Sequence, residues 1–136
     1  MPESLLGLDI GGTKCAVIYG KTDGEKLQII EKLGFPTEPN RGLSYTLESI
    51  FRHIDLIIGK HNLSSLKIGS LGISCGGPLD SKTGMVMSPP NLPGWDNVPL
   101  VKILTEKYGI MTGIQNDANA CALAEWKFGA GKGTEN

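Results

Sequence analysis

The stretch LLGLDIGGTKCAVIYG, residues 5–20, constrains the fold more than any other part of the chain. Leu6, Leu8 and Ile10 alternate with Leu5, Gly7 and Asp9, which predicts a strand with Asp9 opposite Leu8 and Ile10 at its C-terminal end. Cys15 to Tyr19 is apolar and β-branched and predicts a second strand. Between them stand only Gly11, Gly12, Thr13 and Lys14, and a connection this short favours antiparallel pairing. A glycine pair permits positive φ and lets backbone N–H groups approach another molecule closely. Several N–H groups aimed into one turn make an anion nest. Lys14 adds a cation and Thr13 a hydroxyl donor; Asp9 beside such a site is explained when Mg²⁺ lies between, directly or through water. These residues support two readings: a nucleoside triphosphate and metal site on Asp9, Gly11, Gly12, Thr13 and Lys14, or a plain hairpin turn capped by Asp9. A Walker A loop is excluded, because the turn leads into a strand and lacks the Gly-Lys-Ser/Thr ending.

Further along, Lys26 to Leu33 predicts a third strand after the polar turn Lys21-Thr22-Asp23-Gly24. Residues 41–61 change period: Leu43, Leu47, Ile50, Ile54, Ile57 and Ile58 recur at helical spacing. Lys67 to Cys75 reads as a buried strand ending in Gly76-Gly77-Pro78, and Met85 to Ser88 as a short strand in a Pro- and Gly-rich loop. Val98 to Tyr108 predicts a helix ended by Gly109, Ile110 to Gln115 a strand, and Asn116 to Phe128 an Ala-rich helix. Strands that follow helices can join in parallel by right-handed crossovers. The order βββαβαβα therefore predicts an α/β domain with a mixed sheet and no internal boundary.

Two further constellations carry chemistry. Asn116 and Asp117 stand where a strand meets a helix start, at the strand end where open α/β sheets bind ligands. Asp117 can accept a hydroxyl proton and Asn116 can both donate and accept; the alternative is a helix cap. In SPPNLPGW, residues 88–95, Asn91 offers polar contacts and Trp95 an apolar platform for a sugar, the alternative being a structural loop with Trp95 in the core. Gly76 and Gly77 would let a ligand reach backbone, or simply form a turn. The late GAGKGT has the letters of a phosphate loop but follows a helix, and His53 and His61 are expected at surface or rim positions.

Composition narrows the partners. The 136 residues carry a net charge of -1, which gives no broad pull toward nucleic acid or an anionic membrane. No apolar stretch reaches the length of a bilayer span, and the opening Met1-Pro2-Glu3-Ser4 lacks the basic region of a signal peptide. Cys15, Cys75 and Cys121 are odd in number, far apart and without zinc spacing, so all three are expected as small buried hydrophobes in a reducing cytoplasm.

Taken together, LDIGGTK, ISCGGPLD, SPPNLPGW and QNDANACALAEWKFGAGKG resemble, in this chain order, segments of the ROK family (repressors, open reading frames and kinases), particularly its glucokinase-like sugar kinases. The resemblance implies a two-lobed actin-like, ribonuclease-H-like fold, of which residues 1–136 are the N-terminal lobe and the C-terminal lobe is absent. It implies that Asp9, Gly11, Gly12, Thr13 and Lys14 face ATP phosphates and Mg²⁺, with Asp9 meeting the metal through water. Gly76, Gly77, Asn91, Asn116 and Asp117 would hold a glucose-like hexose, and Asp117 would be the general base. The missing lobe would bring a further phosphate motif, the adenosine pocket and a zinc site, so the chain alone is expected to be inactive. A homodimer is expected of the full-length protein. Regulators of the same family usually carry a helix-turn-helix region before this motif; Asp9 stands too near the start for one, which with Asp117 favours the kinase expectation.

Overall fold

The alternating opening folds as three antiparallel neighbours, β1 (Glu3–Ile10), β2 (Lys14–Thr22) and β3 (Leu27–Pro36). The computed structural model describes residues 3–23, 25–63, 68–75, 79–80, 83–86, 94–95 and 97–115. Helix α1 (Leu43–Lys60) follows, then β4 (Ile68–Cys75), the short strands β5 (Leu79–Asp80), β6 (Met85–Val86) and β7 (Val98–Pro99), helix α2 (Leu100–Tyr108) and β8 (Thr112–Gln115). The main sheet has the order β3-β2-β1-β4-β8; β4 lies parallel to β1, and β8 parallel to β4. Both parallel additions come after helices, as the crossover argument requires. Strands β5, β6 and β7 form a separate small antiparallel sheet.

One face of the main sheet is the core. Leu6, Leu8 and Ile10 of β1 stand in register with Tyr19, Val17 and Cys15 of β2 and with Leu71, Ile73 and Cys75 of β4. All nine are buried, and Ile50, Ile54 and Ile57 of α1 belong to the same cluster. Each fully buried Leu or Ile contributes about 1.5–3 kcal/mol relative to an exposed one. The other face is thin: Gly7, Gly72 and Gly113 are neighbours in register on β1, β4 and β8.

Element ends depart from the pattern for local reasons. Helix α1 begins at Leu43 because Pro39–Arg41 forms a single 3-10 turn ahead of it. Helix α2 begins at Leu100 because Val98–Pro99 pairs with β6 instead. Gly109 ends α2 as predicted, with φ 66° and its N–H donating to the Thr105 carbonyl at 2.8 Å. Strand β3 runs past Leu33 to Pro36, pairing with Lys14 at the far end of β2. The expected helix from Asn116 to Phe128 lies outside the described residues.

Candidate functional site

The hairpin between β1 and β2 is built on one close approach. The Gly11 amide donates to the Lys14 carbonyl at 3.0 Å, and a Cβ on Gly11 would stand 2.8 Å from that oxygen. Positive φ does not explain the glycine pair: the described glycines in that region are Gly42, Gly84, Gly94 and Gly109. Glycine is needed at position 11 for space rather than for a left-handed backbone, which corrects the sequence argument. Thr13 and Lys14 are exposed at the tip, while Gly11 and Gly12 are half-buried. A groove of about 470 Å³ runs beside the tip, lined by Thr13, Lys14, Gly34, Phe35 and Pro36.

Thr37, just past β3, reaches into this turn. Its amide donates to the Thr13 carbonyl at 2.9 Å and its hydroxyl to the Gly11 carbonyl at 2.8 Å. Cys15 Sγ lies 3.2 Å from Thr37 Oγ1. Burial pushes the Cys15 thiol up. Cys75, also buried, is pushed up to about 12 by desolvation. Both are the small buried hydrophobes expected; Cys121 lies outside the described residues.

Asp9 occupies a single register row that crosses all five strands: Gly34, Ala16, Asp9, Ser74 and Gln115. It is half-buried, on the face away from Leu8 and Ile10, as the alternation predicts. Its neighbour Ser74 is 1% exposed, and the Ser74 hydroxyl has no hydrogen-bond partner among the described residues. An unpaired buried hydroxyl costs about 1–3 kcal/mol, so a polar partner beyond the described residues would be stabilising here. Ser74 lies within the ISCGGPLD segment but does not stand out there, and Thr37 belongs to no motif; strand register reveals the first and hydrogen bonds to the turn the second.

The three adjacent strands β1, β4 and β8 end at one edge of the sheet, since Ile10 is level with Cys75 and Ser74 with Gln115. The Gly11–Lys14 turn leaves from that edge. In sequence Gly76 follows Cys75 and Asn116 follows Gln115. Gly76, Gly77, Asn91, Asn116 and Asp117 themselves lie outside the described residues.

Other candidates resolve differently. Trp95 is fully buried in the main core cluster, so it is a core residue and not a sugar platform. His53 Nδ1 lies 2.6 Å from the Ser49 carbonyl, and its ring stacks on Phe35 at 4.0 Å. His61 Nε2 pairs with Glu31 at 2.8 Å. Both histidines sit at rim positions with structural partners. Among the described residues no three His, Cys, Asp or Glu side chains cluster as a metal site, and no helix is long and apolar enough to cross a membrane.

Comparison with known proteins identifies the family and the fold. Residues 5–136 match the ROK family. A glucokinase of Thermotoga maritima is 34% identical over 137 aligned residues, covering all of this chain and 41% of the relative. A xylose repressor of Caldicellulosiruptor bescii is 32% identical over 130 residues, covering 93% of this chain and 31% of the relative. The solved structure of a ROK hexokinase from Thermus thermophilus superposes with TM-score 0.68 at 33% identity, covering 92% of this chain and 38% of that one. The chain thus spans about two fifths of the length of the glucokinase it matches. Its fold is the actin-like ATPase fold of those sugar kinases.

Proposed function

Because the chain belongs to the ROK family, we propose that it is the N-terminal lobe of an ATP-dependent hexose kinase. The observation that carries this reading is the common edge at which β1, β4 and β8 end, with a glycine turn and Asp9 at one of those ends. The segment Asn116-Asp117 directly follows a second of them in sequence. Similarity to a glucokinase and to a ROK hexokinase supports a glucose-like hexose as acceptor.

Phosphoryl transfer passes through a loose transition state, so positioning and charge stabilisation matter more than a strong base. Asp117 takes the proton of the acceptor hydroxyl, and Asn116 holds neighbouring hydroxyls with its donor and acceptor. The sugar oxygen forms a bond to the γ-phosphorus, the bond from that phosphorus to the bridging oxygen breaks, and ADP leaves. Gly11, Gly12, Thr13 and Lys14 bring backbone, a hydroxyl and a cation to the phosphates; Gly76, Gly77 and Asn91 complete the sugar side.

The residues present fit Mg²⁺ held through water. Asp9 is the acidic residue of its register row, and the buried Ser74 hydroxyl beside it, without a partner among the described residues, would be satisfied by a bound water. Gly11 lets the adjacent turn close on the Lys14 carbonyl, where a Cβ would clash. When bound there, the metal would supply charge neutralisation to the phosphate oxygens.

The remaining lobe would supply the adenosine pocket, any structural zinc and the homodimer contacts, so the 136-residue chain alone is inactive in this reading, which also places the protein in the cytoplasm. A second reading, a sugar-responsive regulator of the same family, is favoured by the similarity to a xylose repressor. Asp117 favours the kinase, because binding a sugar requires no base. The test is formation of hexose phosphate by the full-length protein with ATP, Mg²⁺ and a panel of hexoses. Sugar-dependent phosphate transfer supports the kinase; sugar binding with no transfer supports the regulator.

A further inference from the structure

The glycine turn is short, and what aims it lies elsewhere in the sequence. Residues 11–14 close on themselves through one backbone hydrogen bond, from the Gly11 amide to the Lys14 carbonyl. Two other carbonyls of the turn, those of Gly11 and Thr13, point to a single residue. Thr37 donates to both, its hydroxyl to the first at 2.8 Å and its amide to the second at 2.9 Å. Its own carbonyl accepts the Thr46 hydroxyl at 3.2 Å, and that hydroxyl also lies 3.3 Å from the Gly42 carbonyl at the start of α1. Thr37 and Thr46 are both 0% exposed, so water does not compete for these contacts.

We propose that Thr37 is a positioning residue for the phosphate turn, fixing the direction of its amides from β3 and tying it to α1. The reason lies in the peptide unit. Each trans peptide is planar, and its N–H points opposite to its C=O. Holding the Gly11 carbonyl toward Thr37 therefore turns the Gly12 N–H away from Thr37. Holding the Thr13 carbonyl does the same for the Lys14 N–H. These are amides of the turn assigned above to the phosphates, and the proposal rests on that reading. A positioning role of this kind acts on the nucleotide and leaves the sugar side alone. Thr46 carries the effect one step further, since a shift of the α1 start would move the Thr37 backbone.

The test uses the full-length protein with Thr37→Val, which keeps shape and amide but loses the hydroxyl, and Thr37→Ser, which keeps both polar groups. Amide hydrogen exchange across residues 11–14 reads the turn directly. Thr37→Val is expected to speed exchange there and to raise the KM for ATP, each on the order of tenfold, because the Gly11 carbonyl loses its partner. The KM for the sugar stays within about twofold, and Thr37→Ser stays near wild type in every readout. Thr46→Val gives a smaller change in the same direction. Unchanged exchange in Thr37→Val, or equal rises in the KM for ATP and for sugar, would overturn the positioning role. Failure of the wild-type protein to bind ATP would instead overturn the phosphate reading beneath it, whatever the exchange shows.

Discussion

Gly11 and Lys14 meet backbone to backbone, 3.0 Å from amide nitrogen to carbonyl oxygen, with no room between them for a methyl group. Gly11→Ala would put its Cβ 2.8 Å from the Lys14 oxygen, and a backbone atom cannot rotate aside. The turn must open, and a misplacement of about 1 Å at a reacting group costs on the order of a hundredfold in rate. The expected outcome in the full-length protein is a loss of kcat/KM for ATP of about that size, with destabilisation of about 1–3 kcal/mol from overpacking. Steady-state kinetics and thermal unfolding measure the two separately.

Asp9→Asn keeps the shape of the side chain and removes its charge. If Asp9 holds hydrated Mg²⁺ beside Ser74, the Mg²⁺ concentration giving half-maximal activity should rise by about tenfold or more. A Mg²⁺ titration of the full-length variant measures this. An unchanged midpoint would place the metal elsewhere.

The edge strand β3 yields a pH prediction. The hydrogen bond from His61, and after it that from Lys60, holds the Glu31 carboxyl below its ordinary value of 4.5. A depressed carboxylate contributes stability above its unfolded pKa and loses it as pH falls through the lower folded value. Wild-type protein should therefore lose Tm more steeply than Glu31→Gln between about pH 5 and pH 3. Thermal unfolding across that range checks it, and equal slopes would show that the pair contributes nothing.

Much of this architecture was legible because buried strands and helices repeat their apolar residues at fixed periods. The alternation around Asp9 placed its side chain on the correct face, and the helical spacing of Ile50, Ile54 and Ile57 located the stripe that α1 buries. Strand β3 was legible only in part. It lies at the sheet edge, and among its residues Phe35 is the buried hydrophobe, so no alternating pattern carries the eye to Pro36. Thr37 was invisible for a related reason: its hydroxyl partner Gly11 lies 26 residues away, a distance no local pattern spans. Trp95 could be read as platform or plug from its loop, and only its full burial decided. The glycine turn was found by its composition, although the reason for Gly11 proved to be crowding by Lys14.

Both described cysteines should be inert in the folded protein. Cys15 and Cys75 are 2% and 0% exposed, and burial raises both thiols, Cys75 to about 12. Alkylation requires thiolate and access. Peptide-resolved mass spectrometry should find the peptides carrying Cys15 and Cys75 unmodified after iodoacetamide treatment at neutral pH, and fully modified in denaturant. Rapid native labelling of Cys15 would mean that the turn above it opens readily.

The central claim is that the Gly11–Lys14 turn and the Asn116–Asp117 segment serve one reaction, the turn holding phosphates and Asp117 taking the proton. Turnover of full-length Asp117→Ala with ATP and the preferred hexose, measured beside binding of that hexose, tests it most directly. The expected result is turnover reduced by at least about a hundredfold with hexose binding weakened far less. Turnover close to wild type would contradict the account.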